Sequence, residues 1–266
     1  VLKPGGGRDQ IRDAGGGEDT IEIYGYALAD TRCARQGRNS QDLIIELGQH
    51  GDRLTVVNAL SNFTADRIET VRFTDSDESL SLAEIREIVV ASNLSSFNDQ
   101  ILGTVFDDTL TGGGGTDLLI GRQGNDEFVF HRGDGNVRIT DAANDPNDRV
   151  RITGWSSQDL LIARRNPATG FDLVLDFPMA DRLILTNTLS DSDHGIEFLE
   201  FDDGVSWSVD EIRATVLEFA NTPFASQIRG FSGDDILVGG EGNDLLIGDA
   251  GNDLYRFSKG DGHDRI

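Results

Sequence analysis

Three hydrophobic rhythms alternate along this chain. In DRVRI (148–152), FDLVLDF (171–177), DRLILTN (181–187) and IEFLEF (196–201), apolar residues fall at every second position. That is the period of a strand with one face buried, so these segments predict strands of about five residues. In SLAEIREIVV (81–90) and SVDEIRATVL (208–217) the rhythm becomes helical, through Ile85, Ile88 and Val89, then Ile212, Val216 and Leu217. Ser81 with Glu84, and Ser208 with Glu211, fit the S-x-x-E capping box that satisfies the first free N–H groups of a helix. In the third rhythm a large apolar residue returns every ninth position among glycines, as at Leu110, Leu119 and Phe128 and again at Leu237, Leu246 and Tyr255.

These rhythms recur together. GGGGTDLLIGRQGNDEFVFHRGDGN (112–136) and GGEGNDLLIGDAGNDLYRFSKGDGH (239–263) share 15 of 25 positions at an offset of 127 residues. The same offset relates the two helical segments, and PGGGRDQI (4–11) resembles KGDGHDRI (259–266). The chain therefore holds about two periods of a unit near 127 residues, as if drawn from a tandem array. Residues 1–93 carry partial repeat turns, a β-rich spacer and a short helix; 94–220 make one full period, with an array at 94–148 and a spacer at 149–220; 221–266 are the next array.

The arrays follow G-G-x-G-x-D-x-U-x, with U large and apolar. GGGGTDLLI (112–120) and GGEGNDLLI (239–247) match throughout; GRQGNDEFV (121–129), GDAGNDLYR (248–256) and GFSGDDILV (230–238) lack only the second glycine. GTVFDDTLT (103–111) keeps its first Gly, Asp and Leu. Alternate glycines permit positive φ and a tight turn that aims carbonyls at one point. One turn of nine residues buries nothing alone, so turns must stack, and stacking sets the Asp side chains in rows. Like charges at strand spacing repel, and a divalent cation between turns reverses that term. Hard oxygen donors, carboxylate plus carbonyl, select calcium.

Composition agrees. There are 47 acidic and 23 basic residues, a net charge of -24, which excludes nucleic acid and an anionic membrane surface as natural partners. The single cysteine, Cys33, forms no internal disulfide framework and reads as inert. No apolar run approaches the ~18 residues of a membrane span, and residues 1–7 are not a signal peptide. The histidines (His50, His131, His194, His263) do not recur in phase, and read as surface residues. Trp155 and Trp207 read as core or edge packing ahead of a sugar platform, and Asp202, Asp203 and Gly204 before Trp207 as a hairpin or solenoid corner.

The arrays resemble the RTX family of haemolysin-type calcium-binding repeats, and the spacers more loosely resemble the haemolysin-type related domain that lies between such arrays. The resemblance implies an all-β fold: a parallel β-roll or solenoid of calcium-bound nonapeptide turns, interrupted by β-rich spacers that each end in a short helix. It also implies several calcium ions, each held between one turn and the next but one. One would lie between Asp108 and Asp126 with the carbonyls of Gly121 and Gln123. A second would lie between Asp235 and Asp253 with those of Gly248 and Ala250. A third would join Asp244 to Asp264, aided by the carbonyl of Asp261. Asp99 with Asp117, and Asp9, Asp19 and Asp148, extend the set, with further backbone donors at Gly112, Gly114, Gly124, Gly233, Gly240 and Gly242. Val137 stands where Asp264 and Asp9 stand in the other copies, so that site is expected to be lost or crippled, and Ser226 replaces the Asp expected from Asp99.

Three functions are open at this point. The first is a calcium-dependent structural repeat of a large secreted bacterial protein, as stalk, adhesin, filament or sheath, on the cell surface after type I secretion. The second is a folding and export appendage of a secreted enzyme or toxin. The third is a polysaccharide-modifying enzyme. The absence of a catalytic constellation favours a chain that is not an enzyme. Its expected partners are calcium, with neighbouring repeats head-to-tail and extracellular polysaccharide or the cell surface as further candidates.

Overall fold

The strands of the 94–148 array alternate between two sheets, because each nonapeptide carries one short apolar run and then reverses through its glycines. This computed structural model describes residues 4–13, 17–36, 40–49, 51–61, 68–92, 95–141, 145–190 and 195–266. His50, His194 and the boundary at 93/94 lie outside the described residues. Gln100–Leu102, Gly115–Ile120 and Gly135–Thr140 pair in parallel in one sheet. Thr109–Thr111, Glu127–His131 and Arg149–Thr153 do so in the other. The residues at the apolar position of each turn face one another between the sheets: Leu110, Leu119, Phe128, Leu237 and Leu246 are each 0% exposed. The 221–266 array repeats the scheme, Gln227–Arg229 with Leu245–Ile247 and Ile236–Val238 with Leu254–Arg256, all parallel.

The spacers correct the expectation of a parallel solenoid. Arg182–Leu185 pairs in parallel with Gly135–Thr140, but Leu173–Asp176 and Ile162–Arg165 then add antiparallel. Phe198–Phe201 pairs in parallel with Arg149–Thr153 and antiparallel with Ser206–Ser208, across the corner at Asp202–Gly204. The sheets are thus mixed, with parallel pairing in the arrays and at their junctions. The physical reason is loop length: spacer strands joined by a few residues turn back as hairpins, whereas a parallel neighbour needs a long crossover. The first spacer is built alike, with Arg8–Ile11 parallel to Asp52–Val56, and Leu43–Leu47 and Thr31–Arg35 antiparallel beyond it. Thr20–Ile23 pairs in parallel with Thr70–Phe73, which then pairs antiparallel with Glu78–Ser81.

The helices Leu82–Ala91 and Val209–Ala220 begin at their capping boxes. The Ser81 N–H donates to Glu84 at 2.7 Å and that of Ser208 to Glu211 at 2.8 Å. Ile85, Val89, Ile212, Val216 and Leu217 are buried as expected; Ile88 is not, at 37% exposed, because the face carrying Leu82, Ile85 and Val89 is the one turned inward. Two apolar cores result. One spans Ile21 to Val89, and the other runs from Val90 through the 94–148 array and the second spacer to Leu246. Trp155 stacks on Phe177 and Trp207 meets Phe201 edge-on, so both tryptophans pack. Cys33 is buried, and burial pushes its thiol up to about 11. No described helix is long and apolar enough to cross a membrane.

Candidate metal centre

The first glycine of each turn (Gly103, Gly112, Gly121, Gly230, Gly239 and Gly248) is buried against the Asp of its own turn. The chain bends there and points that Asp back beneath the glycine. One carboxylate oxygen then reaches the main chain two turns earlier. Oδ1 of Asp117 accepts from the Asp99 N–H at 2.8 Å, and Oδ1 of Asp126 from the Asp108 N–H at 2.8 Å. Oδ1 of Asp148 accepts from the Asp126 N–H at 2.7 Å. The second array matches, with Asp244 on Ser226 at 2.6 Å, Asp253 on Asp235 at 3.2 Å and Asp264 on Asp244 at 2.9 Å.

A second ladder runs the other way through the residue before each Asp, a position the nonapeptide pattern leaves open. Asn98 accepts from Thr116, Asp107 from Asn125, Asp234 from Asn252 and Asn243 from His263, each at 2.7–3.0 Å. The recurrence of Asn or Asp before the motif Asp was the signal for it. Together the ladders tie these turns to the next but one.

The other carboxylate oxygen faces inward. Oδ2 of Asp117, Asp126, Asp148 and Asp244 is buried with no hydrogen-bond partner among the described residues, and these residues are 2%, 1%, 0% and 2% exposed. Burying an ionised oxygen without a partner costs several kcal/mol unless a cation or proton joins it. Burial first, with neighbouring carboxylates adding, raises Asp126 to about 9 and Asp148 to about 7; Asp117 and Asp108 are raised chiefly by burial as well. Carbonyls lie beside two further motif carboxylates, those of Asp108 and Asp235, whose Oδ2 atoms accept from Thr104 and from the Phe231 N–H. A Cβ on Gly103 would lie 2.4 Å from the Gly121 carbonyl oxygen and 2.9 Å from Asp108 Oδ2. On Gly230 it would lie 2.5 Å from both the Gly248 carbonyl oxygen and Asp235 Oδ2. Hard oxygens gathered where a Cβ is missing fit a calcium ion.

The expected site residues divide accordingly. Asp108 with Asp126, Asp235 with Asp253, Asp244 with Asp264, and Asp99 with Asp117 are brought together. Asp9 is exposed on its strand and does not join Asp19, which instead lies against Asp13. Gly114 and Gly233 stand in open space, Gln123 and Ala250 are exposed, and the Asp261 carboxylate accepts from the Ser258 N–H of its own turn. Val137 lies opposite Asp117 in parallel register, an apolar neighbour where a carboxylate would otherwise be. Ser226 keeps the main-chain bond to Asp244 but brings no carboxylate.

Two features were not read from the sequence. Asp141 joins Asp126 and Asp148 in a buried cluster, their ligand oxygens all within 4.8 Å of one another. Its signal was register: Ile120 pairs with Thr140, so Asp141 stacks on Gly121. The second feature is an arginine against the Gly103 turn of one array and the Gly230 turn of the other. Arg35 donates to the Gly103 carbonyl at 2.8 Å, and Arg165 donates to the carbonyls of Gly230 and, at 2.8 Å, Arg229. These guanidiniums face Asp108 and Asp235, and burial holds Arg35 down at about 10.

The RTX calcium-binding nonapeptide repeat matches residues 95–128 and 229–266, in four copies, and the haemolysin-type calcium binding protein related domain matches 172–211. No curated protein matches the chain significantly. Among solved structures, the extracellular lipase LipA from Serratia marcescens is similar over 77% of this chain at 19% identity, with a TM-score of 0.27. The chain spans 34% of that lipase's length.

Proposed function

Because this chain belongs to the RTX family of calcium-binding repeat proteins, we propose that it is an extracellular structural segment that folds around calcium. The observation that carries this reading is the row of buried Oδ2 atoms on Asp117, Asp126, Asp148 and Asp244, which no donor among the described residues satisfies. In this reading calcium lies between each turn and the next but one, and the parallel strands of each array form a β-roll held by those ions. Asp108 with Asp126, Asp235 with Asp253, and Asp244 with Asp264 supply the paired carboxylates, and Gly121 and Gly248 supply carbonyls.

Calcium at cytoplasmic levels leaves such sites empty, and a net charge of -24 then opposes compaction. Outside the cell, binding energy becomes folding energy. That logic suits export as an unfolded chain by type I secretion, followed by folding at the bacterial surface as part of a stalk, adhesin or filament. Two copies of one period in a single chain support a structural role, and the reading assigns no catalytic step. The test is thermal melting of the chelator-stripped chain with and without millimolar CaCl2. Each site loaded at a hundred times its Kd adds about 2.7 kcal/mol, so the reading expects a large rise in Tm. An unchanged Tm would refute it. A catalytic or pore-forming domain encoded beside this segment would instead favour the export-appendage role.

A further inference from the structure

Resting on the calcium reading above, we infer that Asp126, Asp141 and Asp148 form a separate class of cation site, which takes calcium before the nonapeptide sites do. Asp126 is 1%, Asp141 3% and Asp148 0% exposed, and no other described group of His, Cys, Asp or Glu comes together in this way. Oδ2 of Asp126 and of Asp148 has no hydrogen-bond partner among the described residues. Asp141 occupies the position that a first glycine holds in a regular turn. It therefore brings a third carboxylate to a place where the repeat brings only main chain.

The chamber is shaped by what is missing. A Cβ on Gly121 would lie 2.2 Å from Asp126 Oδ2, 2.5 Å from Asp141 Oδ2 and 2.8 Å from the Phe128 ring. The absent methyl leaves the space, and the ring closes its floor. A closed, oxygen-lined chamber suits calcium, which gives up its water readily, over magnesium, which keeps several waters. Three charges draw a divalent ion more strongly than two, and ligand charge is a main control of calcium affinity.

The site is also a joint. The Asp148 N–H donates to Glu197 Oε2 at 2.9 Å, and its carbonyl accepts from the Glu197 and Phe198 N–H groups. An ion held by Asp126 and Asp148 thus links the array strand Glu127–His131 to the spacer strand Phe198–Phe201. The preceding period repeats the joint. The Asp19 N–H donates to Glu69 at 2.8 Å, its carbonyl accepts from the Glu69 and Thr70 N–H groups, and Asp13 lies beside it as Asp141 lies beside Asp148. The Asp-Ala pairs at 13–14 and 141–142 mark both copies.

Calorimetric titration of the chelator-stripped full chain with CaCl2 tests this, alongside Asp141→Asn, Asp141→Gly and the control Asp244→Asn. The inference expects two classes of binding in the parent, the tighter by roughly tenfold or more. Asp141→Asn and Asp141→Gly should abolish one tight step and leave the weaker ones. Both should also raise the melting temperature without calcium, since a buried carboxylate has gone. Asp244→Asn should lose a weak step only. A single class in the parent, a titration unchanged by either Asp141 variant, or loss of all binding in both would overturn the separate site. Failure of the parent to bind any calcium would overturn the calcium reading itself.

Discussion

At the scale of the residue, glycine and aspartate divide the work. Gly124 has φ +108° and sits so close to the preceding layer that a Cβ would lie 2.3 Å from the Phe106 carbonyl carbon. Gly124→Ala should therefore destabilise the calcium-loaded chain by about 2 kcal/mol or more, seen as a lower midpoint in denaturant. The second position of two turns that lack its glycine tells the opposite story. Arg122 and Asp249 stand there at φ 90° and 67°, like Gly113 and Gly240 at 70° and 73°, so the backbone keeps its left-handed turn without glycine. Motif matching scored those two turns as incomplete, yet their geometry is whole, because an L residue occupies this region at a cost of only about 1–2 kcal/mol. The aspartates set a pH dependence. Asp126 and Asp148 are raised by burial, to about 9 and about 7, so without calcium the folded chain holds protons that the unfolded chain releases near 3.8. Stability in chelator should fall as pH rises from about 4, through 7 for Asp148 and on to 9 for Asp126. Calcium should flatten that slope, and melting curves across the range at both conditions check it.

At the scale of the element, the strands and helices were legible because their periods are clean. The alternation in 148–152 and 181–187 appears as Arg149–Thr153 and Arg182–Leu185, and both capping boxes start helices. Ser208→Ala should cost about 1 kcal/mol and Ser81→Ala a similar amount, measurable as a modest loss in melting temperature. Pairing was harder to read than existence. A strand's alternation states which face is buried but not which neighbour it meets, so the antiparallel hairpins of the spacers, apart from the one marked by Asp202–Gly204, were hidden behind the strong signal of the parallel arrays. The contact of the spacers with the Gly103 and Gly230 turns was hidden too, since Arg35 and Arg165 lie 68 and 65 residues from the carbonyls they bind. Each guanidinium also faces the first Asp of its row, Asp108 or Asp235. Arg35→Met keeps much of the side-chain bulk and removes the charge. It should leave the Gly103 carbonyl unsatisfied and destabilise the junction by about 1–3 kcal/mol, with amide exchange near Gly103 speeding most.

At the scale of the whole molecule, the repeat period revealed that stacking turns make rows of aspartate, and the structure shows how far those rows stay in register. They hold through Asp108, Asp126 and Asp148 and through Asp244 and Asp264; they stop at Val137, where an apolar residue was visible in the sequence as a break. Asp141 escaped notice because it lies outside the nonapeptide frame and reaches Asp126 only through strand register. What the rows share is an energetic debt: buried oxygens that no donor among the described residues meets, beneath a fold whose net charge already favours expansion. Calcium is the species that resolves both. The most direct measurement is therefore far-UV circular dichroism of the chelator-stripped chain during a calcium titration, with magnesium as the control. The account predicts a cooperative gain of β signal at calcium near 10⁻⁴–10⁻³ M, reversed by chelator and absent with magnesium. A full β signal that persists through exhaustive chelation and does not change on adding calcium would contradict it.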